Sequence, residues 1–220
     1  MSDAREEMLG RIRAALGGEP EAAVAATGVE RRYLGADDVW ETALSAADLL
    51  ALLTERIVDY RASVTATTPD GLSAVVAGLL AGAERVVVPE GLDRDWLGTA
   101  ESAGLEVLVD GSACAVGTDD LDRVDAVVTA STLAIAETGT IVLDGTADQG
   151  RRAISLVPDH HVCVVRADTV VRGLPAAMRL LDVTRPLTWI SGPSATSDIE
   201  LSRVEGVHGP RRLDVVLLLS

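Results

Sequence analysis

The 220-residue chain lacks the features on which several classes of protein depend. It has no phenylalanine and no apolar run near the ~20 residues of a membrane-spanning helix, and its charged N-terminus has no signal-peptide core. Its formal net charge of -15 argues against nucleic acid or an anionic membrane as the main partner, because both require basic patches. We therefore expect a cytoplasmic protein with no membrane span and no nucleic-acid partner.

Cysteine and histidine are too few and too scattered for an obvious metal site. Cys114 and Cys163 are far apart in sequence, whereas an iron–sulfur cluster usually needs about four thiolates. His160 and His161 are adjacent and His208 is distant, which is not the spacing of zinc ligands. The sequence therefore predicts no metal and no cofactor in this chain.

The residues that are abundant indicate an α/β fold. Nearly half of the chain is apolar, and short apolar segments alternate with amphipathic ones. This alternation is typical of a mostly parallel sheet covered by helices on both faces. The predicted strands are 62–67, 85–88, 106–109, 126–129, 140–143, 162–165, 187–190 and 213–218. The predicted helices between them are 68–81, 93–103 and 175–181, and another helix, interrupted near Ser45, precedes the first strand.

The N-terminal region has a different pattern and is treated as an appendage. Asp3 and Glu6 form a capping box, and the helix that they begin stops at the glycines 17–18. An Ala- and Glu-rich stretch without an apolar face follows and reads as a linker. We therefore divide the chain into an N-terminal helix with its linker, residues 1–35, and an α/β domain, residues 36–220.

One carboxylate lies inside an apolar stretch and is followed by a short polar turn. Glu137 is followed by Thr138, Gly139 and Thr140, and a lone acid in apolar surroundings is costly to bury unless a partner compensates for it. Two interpretations are open: Glu137 is a hydrogen-bonded turn residue, or it is a working carboxylate with a shifted pKa. In the second case the two threonines and the glycine would contact a ligand.

The loop 191–198 is a second candidate for ligand binding. Gly192, Ser194, Thr196 and Asp198 provide hydroxyls, backbone N–H groups and a helix start that suit a phosphate or carboxylate. The other interpretation is an N-capped turn punctuated by Gly and Pro.

Two further stretches offer groups that interact with anions. His208 and Gly209 belong to a glycine-flanked loop, where the imidazole is either structural or an acid, base or hydrogen-bond donor. Arg151 and Arg152 are either an anion clamp or a solvated pair.

Taken together, these motifs resemble those of the LUD domain family. The similarity covers residues 126–220 and the first helix, and the start 6–16 resembles the branch of the family that takes part in lactate utilisation. The motifs that carry the resemblance are AIAETGT (134–140), SLVP (155–158), GPSATSDIE (192–200) and GVHGP (206–210).

The resemblance implies a fold similar to ribose-5-phosphate isomerase and the CoA transferases. It also implies a component of an L-lactate utilisation system that oxidises L-lactate to pyruvate together with iron–sulfur partner proteins, where the clusters would reside. In that system this chain would bind a small anionic ligand, either lactate or pyruvate or a phosphate-bearing molecule. Whether the chain is itself an enzyme stays open. It would be either an isomerase- or CoA-transferase-like enzyme that uses Glu137 and His208, or a scaffold subunit that docks through its first helix.

Overall fold

The structure, a computed structural model, divides the chain into two units, Met1–Ala36 and Asp37–Ser220. In the first unit, helix α1 spans Ser2–Ala15, where the capping box predicts a helix. The predicted linker lies outside the described residues. The residues that the structure describes are 2–15, 44–193, 195–196, 204–205 and 209–219.

A six-stranded parallel sheet forms the centre of the second unit. Its inner strands are nearly continuous apolar runs, as expected of strands that are covered on both faces. The predicted α/β class is therefore confirmed. The strands, in spatial order, are β1 (Ser63–Thr67), β12 (Arg212–Leu218), β7 (His160–Arg166), β4 (Ala126–Ala130), β2 (Arg85–Pro89) and β3 (Glu106–Asp110).

Helices cover both faces of this sheet. The longer ones are α2 (Ala46–Asp59) and α3 (Pro69–Leu79), and Ser45 is the N-cap of α2, so the interruption predicted near Ser45 is a helix start. Leu53 of α2 is buried on one face and Val76 of α3 on the other. None of the described helices is long and apolar enough to cross a membrane. The shorter helices are α4 (Gly98–Ser102), α5 (Thr118–Leu121), α6 (Arg152–Leu156) and α7 (Leu174–Leu180).

A second sheet of four strands packs against the α2 side of the unit. It is mixed, because β5 pairs antiparallel with β6 and parallel with β8. The sequence analysis identified two of its strands but not this separate sheet, since apolar segments do not reveal which strands they pair with. The strands are β8 (Val170–Val171), β5 (Leu133–Ile135), β6 (Thr140–Leu143) and β9 (Thr188–Ile190), in spatial order. A separate short antiparallel pair joins β10 (Ala195–Thr196) to β11 (Val204–Glu205).

The expected likeness to ribose-5-phosphate isomerase and the CoA transferases stays a prediction. The parallel sheet with helices on both faces is compatible with it, and also with many other α/β proteins. A shared layer arrangement does not by itself identify a fold family.

Gly139 determines how closely the second sheet approaches α2. It ends the short helical turn Ala136–Thr138 with a φ of 60°, in the left-handed region that favours glycine. A side-chain carbon at this position would lie 2.8 Å from the backbone carbonyl carbon of Arg56 in α2. Both the turn and the packing therefore require glycine.

We expect Gly139→Ala to lower the free energy of unfolding by at least about 2 kcal/mol, from left-handed backbone strain and the contact with α2. Denaturant unfolding measures the change. Gly78→Ala is the matched control, because a methyl group there meets no atom within 4 Å and replaces glycine inside α3. That variant should be more stable by about 0.5–1 kcal/mol. Equal effects of the two substitutions would contradict this account of Gly139.

Candidate functional site

Two adjoining cavities share one wall in the second unit. The strand-end cavity, of about 680 Å³, includes Glu90 and Asp110 at the carboxyl ends of β2 and β3. The His161 cavity, of about 450 Å³, is lined by His161 of β7 and by Ser191 beyond β9, among others. The residues common to both cavities are Arg152, Ser155, Leu187 and Thr188.

Arg151 forms an ion pair at the edge of the strand-end cavity. Its Nε lies 2.9 Å from Oδ2 of Asp110, and one of its terminal nitrogens lies 2.9 Å from Oδ1. The backbone of Val116 contacts both members of the pair: its N–H donates to Asp110, and its carbonyl accepts from Arg151. The hydrogen bonds to Asp110 raise the pKa of Arg151, and the carboxylate's charge acts in the same direction. The geometry thus provides Arg151 with a protein counter-ion, and its predicted ligand role stays a prediction.

Arg152 differs from its neighbour. It begins α6, is exposed, and lines both cavities. Within the part of the chain that the structure describes, its guanidinium has no hydrogen-bond or ion-pair partner. A cation with no counter-ion among the described residues therefore lies on the wall between the cavities.

His161 is a buried polar group on the lining of the second cavity. Its side chain is only 1% exposed, and its Nε2 lies 2.8 Å from Oγ1 of Thr129 on β4. Burial, with a smaller contribution from the neighbouring His160, lowers the pKa of His161 to about 3. The imidazole is therefore neutral across the physiological pH range.

The adjacent His160 points to the opposite face of the sheet. Its Nε2 lies 2.7 Å from Oδ2 of Asp214. The other carboxylate oxygen of Asp214, Oδ1, accepts a hydrogen bond from Ser63, and Oδ2 also pairs with Arg212 at 2.7 Å. Burial raises the pKa of Asp214, but the hydrogen bonds from His160 and Ser63 outweigh it and leave the pKa below its ordinary value. The two histidines thus belong to separate polar clusters.

Glu137 lies in the helical turn between β5 and β6 and is paired with an arginine. Its Oε1 accepts from Nε of Arg172 at 3.0 Å, and its backbone N–H donates to the carbonyl of Arg172 at 3.0 Å. Glu137 does not line either cavity. This position matches the interpretation of Glu137 as a hydrogen-bonded turn residue, and its catalytic role stays a prediction.

The structure brings part of the predicted site together. The Oγ1 atoms of Thr138 and Thr140 are 2.7 Å apart, and Oγ1 of Thr140 is 2.8 Å from Oγ of Ser191. The turn after Glu137 therefore contacts the second predicted loop at the His161 cavity, which Gly192 and Gly209 also line.

The side chains of four other predicted site residues are not among those that the structure describes. Ser194, Asp198 and His208 are outside the described residues, and of Thr196 only the backbone, in β10, is described. Their predicted roles stay predictions.

Sequence analysis did not single out Thr129, Asp110 or His161 as site residues. The signal for His161 was present, because two adjacent histidines at the start of a buried strand must point to opposite faces. The predicted strand began one residue after His161, whereas β7 begins at His160.

The two neighbouring arginines should differ in their effect on stability. Arg151→Ala leaves the carboxylate of Asp110, only 5% exposed, without its counter-ion, so we expect the free energy of unfolding to fall by about 1–3 kcal/mol. Arg152→Ala removes an exposed side chain without a described partner and should change the free energy of unfolding by less than about 0.5 kcal/mol. Denaturant unfolding of both variants tests this, and equal losses would contradict the assignment.

The buried His161 should make stability depend on pH. Its pKa is lowered from 6.5 to about 3, so only the unfolded chain binds a proton there between these values. Between pH 6.5 and about 3, His161 should therefore lower the free energy of unfolding as pH falls, by up to about 1.4 kcal/mol per pH unit. Unfolding measured at several pH values should show a shallower dependence for His161→Asn, and equal slopes would argue against a buried neutral imidazole.

Comparisons with known proteins agree with the resemblance seen in the sequence. The model of the LUD domain family matches residues 92–218. A protein named "Lactate utilization protein C" from Deinococcus radiodurans is 49% identical over 80% of this chain and 82% of its own length. A protein of the same name from Bacillus subtilis is 34% identical over 41% of each chain.

A solved structure resembles most of this chain. The crystal structure of a DUF162 family protein from Deinococcus radiodurans superimposes with a TM-score of 0.69 at 42% sequence identity, covering 80% of this chain and 99% of that chain. The family model covers more than half of this chain, and the first relative matches most of both sequences. The chain therefore belongs to the LUD domain family.

Proposed function

We propose that this chain is a component of an L-lactate utilisation system that oxidises L-lactate to pyruvate with iron–sulfur partner proteins, and that it binds a small anionic ligand at Arg152. The similarity to a relative named for lactate utilisation over most of both chains supports the role in lactate utilisation. The sequence has two cysteines, whereas an iron–sulfur cluster usually needs about four thiolates. This difference supports placing the redox centres in partner proteins.

The single observation that carries the ligand proposal is the difference between two adjacent arginines. Arg151 has Asp110 as its counter-ion, whereas Arg152 has none among the described residues and lines both cavities. A guanidinium forms short, charge-assisted hydrogen bonds with a carboxylate, often two in parallel. The carboxylate of lactate or pyruvate is a ligand of this kind.

The surroundings of Arg152 suit a small polar anion. Thr188 and Ser191, which both carry hydroxyl groups, line the His161 cavity. The strand-end cavity carries Glu90, whose carboxylate disfavours an anion there, while its arginine Arg151 is already paired with Asp110. We therefore place the ligand on the His161 side of Arg152.

A growth experiment tests the lactate-utilisation role. A strain without this gene should grow poorly on L-lactate and normally on glucose, and the wild-type gene should restore growth on L-lactate. Normal growth of the deletion strain on L-lactate would exclude the proposed role. Oxidation of L-lactate by the purified chain alone would contradict the placement of the redox centres in partner proteins.

Arg152→Ala tests the ligand site. We expect a folded variant whose affinity for L-lactate, measured by calorimetry, is lower by about tenfold or more, because a hydrogen-bonded charge contributes about 1.5–3 kcal/mol. Arg123→Ala is the matched control, since it removes an equal charge from an exposed residue that lines neither cavity. Unchanged binding by Arg152→Ala would place the ligand elsewhere.

A further inference from the structure

Three hydrogen bonds connect the buried polar groups behind the His161 cavity. Sγ of Cys163 lies 3.9 Å from the carbonyl oxygen of Ala130, and Oγ1 of Thr129 lies 3.8 Å from the same sulfur. Oγ1 of Thr129 is also 2.8 Å from Nε2 of His161. The chain of contacts therefore runs from a backbone carbonyl to the imidazole.

Only one arrangement of protons satisfies all three contacts. A carbonyl oxygen can only accept, so the thiol of Cys163 donates to Ala130. The thiol has one hydrogen, so the hydroxyl of Thr129 must donate to the sulfur. That hydroxyl also has one hydrogen, so Nε2 of His161 must donate to Thr129.

The charge states of the two end groups support this arrangement. Burial raises the pKa of Cys163 to about 12, so the sulfur keeps its proton. Burial lowers the pKa of His161 to about 3, so the imidazole carries a single proton. With that proton on Nε2, the other ring nitrogen, Nδ1, has a lone pair and acts only as an acceptor.

The acceptor belongs to a side chain that is nearly inaccessible except through the cavity. His161 is 99% buried and lines the cavity, and the one hydrogen bond that its ring makes with the described residues is that of Nε2 with Thr129. Arg152, an exposed residue, also lines this cavity. The cavity thus combines a cation with a neutral hydrogen-bond acceptor.

We infer that the His161 cavity selects a 2-hydroxy carboxylate over the corresponding 2-keto acid, with the carboxylate at Arg152 and the hydroxyl donating to Nδ1 of His161. This inference rests on the proposed anion site and specifies its ligand. A hydroxyl group supplies the proton that the acceptor lacks. A keto oxygen is itself an acceptor, so it would meet the lone pair of Nδ1 with no proton between them.

His161 is therefore a specificity-determining residue. L-lactate and pyruvate have the same carboxylate, so the interaction with Arg152 contributes equally to the binding of both acids. The two ligands differ at the second carbon, where only lactate can donate a hydrogen bond. The chain would hold the reduced acid and release the oxidised one.

Calorimetric titration of the purified full chain with L-lactate and with pyruvate tests the selectivity. The wild type should bind L-lactate about tenfold or more tightly than pyruvate, as expected when one ligand leaves a buried acceptor unpaired. Two substitutions test the roles of the two ring nitrogens separately. In His161→Asn the side-chain oxygen can take the position of Nδ1, and in His161→Gln the amide nitrogen can take the position of Nε2.

His161→Asn should therefore keep a preference for L-lactate, whereas His161→Gln should bind the two acids about equally. Denaturant unfolding of both variants verifies that they are folded. Equal affinity of the wild type for the two acids would overturn the inference and leave anion binding at Arg152 intact. Binding of neither acid would overturn both the inference and the ligand site, while the growth experiment would still decide the lactate-utilisation role.

Nitrogen NMR of the ligand-free chain tests the proton arrangement without any ligand. The chemical shifts of the two ring nitrogens should show that Nε2 of His161 is protonated and Nδ1 is not. His161→Asn removes these signals and identifies them. A proton on Nδ1 would overturn the inference even if the chain binds lactate.

Discussion

The parallel pairing of β7 with its neighbours β4 and β12 sets the positions of the buried polar groups. It aligns His161 with Val127 on one side and with Leu213 on the other, and it aligns Cys163 with Thr129. Because side chains alternate along a strand, this register places His161, Thr129 and Cys163 on one face and His160 on the other. A shift by one residue would exchange the two histidines and remove the imidazole from the cavity.

The loop between β6 and α6 connects the second sheet to the carboxyl end of the main sheet. Its backbone is hydrogen-bonded to the main sheet, because Gly91 after β2 donates to Ala147 at 2.9 Å and Ala130 of β4 donates to Asp148 at 3.0 Å. The ion pair between Arg151 and Asp110 closes the end of the loop. These contacts fix the start of α6, and the position of Arg152 at the wall of the two cavities follows from them.

The acidic character of the chain limits how an anion can be bound. With a net charge of -15, the long-range field repels anions, so recognition must come from short-range contacts inside a cavity. A single guanidinium beside hydroxyl groups and a neutral imidazole provides such contacts without a basic surface. This combination also distinguishes ligands by their hydrogen-bond donors, which charge alone cannot do.

The α/β class, most strand positions and the start of α3 are predictable from local sequence, because periodicity and capping act within a few neighbouring residues. Whether the candidate loops meet in space was left open by the sequence, and the structure brings Thr140 and Ser191 into contact. Which arginine is paired and which histidine faces the cavity depend on contacts between distant parts of the chain. The partners Asp110 of Arg151, Thr129 of His161 and Arg172 of Glu137 are 41, 32 and 35 residues away in sequence. Strand order and register bring such residues together, and local patterns do not encode either one.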